Sequence, residues 1–128
     1  MIGYTMVGTS DLPRAIAFYD AVFKSVDVGQ LMPMSKGMGW GPGRGVPMFC
    51  VTTPNDGHAA TTGNGTMIAL TLDTRAKVDA IYAAAIAAGA SDEGAPGVRG
   101  TDGPQAFYGA YFRDLDGNKL CAYRVGPA

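Results

Sequence analysis

The sequence predicts an α+β fold made of two βαβββ modules in tandem. Three observations carry that prediction. A strand pattern runs straight into a helix pattern over residues 2–26, and the same succession recurs over residues 67–89. Short apolar runs separated by turn residues follow each helix pattern. The chain then closes on a hairpin signal, two apolar runs around Asp116-Gly117.

Residues 2–9 alternate and contain Val and Thr, which predicts the first strand. Ser10 or Asp11 caps the helix after it, and Pro13 sits in the first turn, where its missing N–H costs nothing. Leu12, Ile16, Tyr19 and Phe23 fall at helical spacing, and the helix should end near residues 24–26. Residues 28–34 and 38–42 read as two strands around Ser35-Lys36-Gly37, and residues 46–52 as a third. In the second half, residues 67–72 read as a strand and Asp73 or Thr74 as the cap of a helix. Val78, Ile81, Ala85 and Ala88 share a face of that helix, with the spacing of the first, and Gly89 ends it. Residues 91–93 form a short strand and 94–105 a Gly/Pro-rich loop, followed by strands at 106–113 and 119–125. Asp116-Gly117 predicts a tight turn with both central residues at positive φ. Each half thus offers a mixed sheet with a helix on one face, and the other face must be covered or must enclose a cavity.

The length of 128 residues is that of one domain, 1–128. Module one covers about 1–53, a polar linker loop about 54–65, and module two about 66–128. Charged residues make up 16% of the chain and the net charge is −1, with no basic stripe, which argues against nucleic acid as a partner. No apolar stretch reaches the roughly 20 residues that span a bilayer, so no membrane partner is expected. Met1-Ile2-Gly3-Tyr4 lacks the charged start of a signal peptide, and two cysteines make no disulfide framework. The expected location is cytoplasmic. The alternating glycines around Trp40 are not followed by the helix of a phosphate loop. Asp114-x-Asp116-Gly117-Asn118 lacks the distal Glu and flanking helices of a calcium loop.

Three stretches carry a resemblance across the whole chain. They are Tyr4-Thr5-Met6-Val7-Gly8-Thr9-Ser10-Asp11-Leu12, Gly63-Asn64-Gly65-Thr66-Met67, and residues 107–120 with Arg113-Asp114-Leu115-Asp116-Gly117-Asn118-Lys119-Leu120. Together they resemble the glyoxalase / bleomycin-resistance / dioxygenase superfamily, also called vicinal oxygen chelate proteins. The resemblance implies that the modules pair into a cupped, half-open mixed β-barrel with helices outside, often completed across a homodimer. It also implies a divalent metal on strand positions that correspond here to Tyr4, Met67 and Cys121, with a fourth near Cys50. Tyr is a poor donor unless ionised, Met thioether suits Cu(I) rather than harder ions, and a single thiolate does not anchor a site. No catalytic metal and no other cofactor are therefore expected. A soft-metal site from Cys50, Cys121 and Met67 is weighed against core side chains filling the emptied space.

Without the metal, glyoxalase and dioxygenase chemistry lose their means of polarising substrate oxygens. The resemblance then implies a homodimeric binder of a small aromatic or hydrophobic molecule. Strand alternation puts Tyr4, Met6 and Gly8 on one face, Met67, Ala69 and Thr71 on one face, and Lys119, Cys121 and Tyr123 on one face, and the resemblance implies that these are the concave faces. The expected ligand pocket comprises Tyr4, Met67, Cys121 and Tyr123, with Trp40 near the rim. Tyr108 and Tyr111 point to opposite faces, so at most one belongs, and Tyr108 is carried as the candidate. Arg99, in the loop before the seventh strand, could reach an anionic ligand at the mouth; Arg44 and Arg124 are weaker candidates. Packed tyrosines, a hairpin aromatic and surface arginines are the competing readings. His58, the lone histidine, is expected in solvent. The alternative function is a glyoxalase-class lyase or dioxygenase with a divergent metal site or acid–base chemistry from Tyr4 and Cys121. A third reading is a protein-interaction module.

Overall fold

The computed structural model describes residues 1–127. In chain order the elements are β1 (Tyr4–Gly8), α1 (Leu12–Lys24), β2 (Gly29–Met34), β3 (Gly37–Gly41), β4 (Met48–Thr52), β5 (Ile68–Thr71), α2 (Arg75–Ala87), β6 (Ser91–Arg99), β7 (Phe107–Arg113) and β8 (Lys119–Val125). They form two four-stranded mixed sheets of the same topology, β1-β4-β3-β2 and β5-β8-β7-β6. In each sheet the first strand runs parallel to the last and the remaining pairs are antiparallel. This is the predicted pair of βαβββ modules. The two sheets do not close into a barrel within the chain.

The helix starts follow from their caps. Asp11 accepts a hydrogen bond from the Arg14 amide, Thr74 from the Lys77 amide, and Pro13 sits in the first turn of α1. The apolar stripe of α1 lies on the inner side of β3 and β4, where Tyr19 and Phe23 pack against Trp40 and Phe49 with ring centroids 4.7 to 5.8 Å apart. α2 buries Val78, Ile81 and Ala85 beside Ala110, Phe112, Leu120 and Ala122, and α1 also packs on α2. One core therefore lies between the helices and the convex faces of both sheets. Each large side chain within it contributes about 1.5–3 kcal/mol of burial.

Polar contacts join the modules. Asp114, 5% exposed, accepts hydrogen bonds from Tyr19 Oη, the amides of Asp116 and Asn118, and Asn118 Nδ2. Asn118 Nδ2 also donates to the Gly8 carbonyl, and the Ser10 amide donates to Asp116. The Asp-x-Asp-Gly-Asn segment thus fastens the start of α1 to the last hairpin.

Two local expectations change. Residues 94–105 do not begin as a loop: β6 runs on to Arg99 as an edge strand, with register shifts around Gly94 and Gly97. Pro96 and the glycines suit a bulged edge because no further strand needs their outer hydrogen bonds. At the last turn only Gly117 has positive φ, +89°, while Asp116 does not. The Gly117 amide donates to the Asp114 carbonyl and the Asp114 amide to that of Asn118. This is a tight turn followed by a left-handed glycine rather than a two-residue loop.

Candidate functional site

The concave faces, turned away from the helices, carry the candidate residues. Cross-strand rows on the first sheet place Tyr4 beside Met48, Met6 beside Cys50, Cys50 beside Gly39, and Gly39 beside Met32. Tyr4 is 60% exposed and Met6 43%, although each lies within a paired strand. Gly39 leaves room that a side chain would fill, since a Cβ there would meet Cys50 Sγ at 3.1 Å. A groove of about 420 Å³ opens on this side between Leu31, Met32, Met48 and the Gly43–Val46 segment with Arg44. Its size is that of a small-molecule site.

On the second sheet Ala69 neighbours Cys121, Thr71 neighbours Tyr123, Tyr111 neighbours Cys121, and Phe107 neighbours Val125. The rings of Tyr123 and Phe107 stack, with centroids 5.2 Å apart. Met67 stands just before β5 and is exposed. Cys121 is buried, with Tyr111 as its cross-strand neighbour on β7. Burial pushes its thiol pKa up, against the opposing effects of Tyr111, Arg99 and Lys119. Burial likewise raises the pKa of Cys50. Both cysteines are therefore thiols rather than thiolates at neutral pH, and poor spontaneous nucleophiles.

The structure brings Cys121 and Tyr123 onto one concave face with Arg99, and Tyr4 with Cys50 onto the other. The proposed sulfur trio is divided, because Cys50 lies on the first sheet and Met67 and Cys121 go with the second. Two expected pocket residues face elsewhere. Trp40 is not at the rim: it is 1% exposed under α1, and its Nε1 donates to Asp20 at 2.9 Å. Tyr108 faces α2, where its hydroxyl donates to Asp79 at 2.7 Å and the Arg75 guanidinium lies 5.0 Å from its ring centroid. Tyr111 takes the concave position instead. Arg99 belongs to strand β6 rather than a loop, and its guanidinium lies 5.5 Å from the Tyr111 ring centroid. His58 is exposed beside Asp56, with Nδ1 3.4 Å from Oδ2.

Sequence reasoning placed Lys119 on the concave side, carried Tyr108 in place of Tyr111, and passed over Met32 and Met48 as a lining. Alternation outward from Cys50 reaches Met48, whereas Met32 and Tyr111 are brought in by strand pairing. Among the described residues, no three His, Cys, Asp or Glu side chains come together as metal ligands. No helix among the described residues is long and apolar enough to cross a membrane.

The family profile of the Glyoxalase/Bleomycin resistance protein/Dioxygenase superfamily matches residues 1–122. A glyoxalase/bleomycin resistance protein from Albidiferax ferrireducens T118 has a similar structure, with a TM-score of 0.86 and 34% identity over 97% of this chain and 98% of that one. A glyoxalase/bleomycin resistance protein/dioxygenase family enzyme from Burkholderia phytofirmans PsJN aligns with a TM-score of 0.70 and 22% identity over 96% and 97%. A lactoylglutathione lyase from Agrobacterium tumefaciens aligns with a TM-score of 0.65 and 21% identity over 97% and 92%. The last two likenesses concern the fold alone. No curated protein sequence matches this chain.

Proposed function

The chain belongs to the glyoxalase/bleomycin resistance protein/dioxygenase superfamily, and from that premise we propose that it is a homodimeric binder of small aromatic or hydrophobic molecules that has lost the catalytic metal. The observation that carries this reading is the composition of the concave faces. Tyr4, Met6, Met32 and Met67 remain exposed there, where a monomeric fold gains nothing by keeping them. A small apolar ligand and a second copy of the chain would both cover such a surface.

The donor chemistry agrees. The positions matching family ligands hold Tyr4, Cys50, Met67 and Cys121. They offer an exposed phenol, a thioether and two buried thiols of raised pKa, split between two sheets. That set does not fit Zn²⁺, Ni²⁺ or Fe²⁺, which need imidazole, carboxylate or thiolate together. Lewis-acid polarisation of a substrate is therefore not assigned to these residues.

The test is a pair of measurements on untagged protein. After equilibration with Ni²⁺, Zn²⁺, Fe²⁺ and Mn²⁺ and gel filtration, elemental mass spectrometry should find far less than one metal per chain. A near-stoichiometric metal would overturn the reading in favour of a lyase or dioxygenase. The uncharged dye N-phenyl-1-naphthylamine should bind the wild type with a fluorescence gain. Tyr123→Ala should weaken that binding roughly tenfold, a change of about 1.4 kcal/mol. Unchanged affinity would remove Tyr123 from the pocket.

A further inference from the structure

Arg99 and Lys119 stand against one aromatic ring on the concave face of the second sheet. The Arg99 guanidinium carbon is 5.5 Å and Lys119 Nζ 5.7 Å from the Tyr111 ring centroid. Two cations held to the same ring repel each other, and among the described residues neither is within salt-bridge distance of a carboxylate. The other cation of this face, Arg113, is neutralised by Glu93 and donates to the Gly117 carbonyl. The face therefore carries two uncompensated positive charges beside the Cys121–Tyr111 pair.

The arginine is held rather than loose. Its Nη1 donates to the Gly97 carbonyl at 3.0 Å and its Nη2 to the Ala95 carbonyl at 2.8 Å. Strand β6 lacks side chains where the guanidinium lies. A Cβ on Gly97 would meet Arg99 Nη1 at 3.1 Å, and one on Gly94 would meet Arg99 Nη2 and the Tyr111 ring at 3.2 Å each. The two glycines that bulge this edge strand thus make the bed on which the guanidinium lies. Of its five N–H donors two are taken by β6, and three remain. The Lys119 ammonium has no hydrogen-bond partner among the described residues and adds three more. The aromatic surface of Phe107 and Tyr123 continues from this cluster along the same face.

We propose that Arg99 and Lys119 form an oxyanion site over Tyr111, so that the ligand of this face is a flat apolar or aromatic molecule bearing a carboxylate, sulfonate or phosphate group. The inference rests on the concave face being the ligand seat. Charge-assisted hydrogen bonds from the guanidinium and the ammonium hold the oxyanion, while the Phe107–Tyr123 stack receives the apolar body.

Two dyes of similar aromatic body separate the two ideas: 8-anilino-1-naphthalenesulfonate, which is anionic, and N-phenyl-1-naphthylamine, which is neutral. The anionic dye should bind the wild type more tightly, and only its affinity should fall with added salt. Lys119→Gln and Arg99→Gln should each weaken the anionic dye about tenfold or more and leave the neutral dye within twofold. Lys36→Gln, on the β2–β3 turn, should change neither. The Lys119 side chain makes no hydrogen bond among the described residues, so its variant keeps the test open if Arg99→Gln is unstable. If both dyes bind and the anionic one ignores both substitutions, the oxyanion site is overturned while the pocket stands. If neither dye binds the wild type, the pocket reading fails and the oxyanion site with it.

Discussion

Asp114 and Tyr19 show how one residue pair holds two modules together. The Asp114 carboxylate is buried with four hydrogen-bond donors around it and no arginine or lysine, and Tyr19 supplies one of those donors from α1. Tyr19→Phe removes the hydroxyl and leaves part of a buried carboxylate unsatisfied. It should cost about 1–3 kcal/mol in urea unfolding. The tyrosine also sets an alkaline limit. Burial, then the nearby Asp114 charge, raises its pKa well above the ordinary value. The unfolded chain loses this proton more readily, so the Tyr19 contribution is fully present below about pH 10 and declines as pH rises beyond it. Tyr82, Tyr108 and Tyr111 shift the same way, so Tyr19→Phe should flatten, not abolish, the fall in stability above pH 10. Much of the candidate site was legible at this scale. Cys121 and Tyr123 share a concave face because a strand alternates, and the same rule, applied to Gly39, Trp40 and Gly41, puts Trp40 on the opposite side from the cavity. The partners of Trp40 and Tyr108, Asp20 and Asp79, lie 20 and 29 residues away, and no local pattern announces them.

The elements repeat more closely than the residues within them. Both helices have 13 residues and a side-chain cap, yet they end differently. After α2 the chain turns at Gly89, with φ +105°, and its amide donates to the Ile86 carbonyl. After α1 the corresponding reversal falls on Asp27, the one non-glycine residue at positive φ among those described. An added Cβ at Gly89 would be strained by the backbone and would also meet Leu115 Cδ2 at 3.1 Å. Gly89→Ala should therefore destabilise the fold by about 1–2 kcal/mol, read from the urea midpoint at unchanged m-value. Helix boundaries could be read because Asp11, Pro13, Thr74 and Gly89 each mark one chemically. Strand β6 could not, because Gly94, Pro96 and Gly97 have the composition of a loop. Only pairing with β7, a contact between distant residues, makes them a strand. Those same glycines accommodate the Arg99 guanidinium, so the segment hardest to read as structure is the one that shapes the site.

At the scale of the molecule, the two helices settle one side of each sheet and leave the other unfinished. The core accounts for Val7, Phe49, Val51, Phe112 and Leu120 on the convex faces, while the concave faces keep exposed apolar side chains. Nothing in the hydrophobic pattern of one chain could distinguish a cup closed on itself from two open sheets, because both bury the same residues under the helices. The arrangement in the chain is the open one, and a dimer that brings one concave sheet against its partner's would complete the enclosure. A two-fold interface is self-complementary, so any charge placed in it enters twice. Met6 is a suitable probe because it is exposed at the centre of β1 and contributes no buried contact to the core. Met6→Glu should leave the monomer folded, with a far-ultraviolet spectrum and thermal midpoint close to wild type. In the dimer it would bury two unpaired carboxylates, each of which must shed water or take up a proton. Sedimentation equilibrium should then show the dimer dissociation constant raised at least about tenfold. Neutral-dye binding should fall in step with dimer population if the pocket is shared between copies. If instead the Met6→Glu protein dissociates to monomers and each binds the dye as before, the pocket belongs to a single chain and the partner contributes no wall to it.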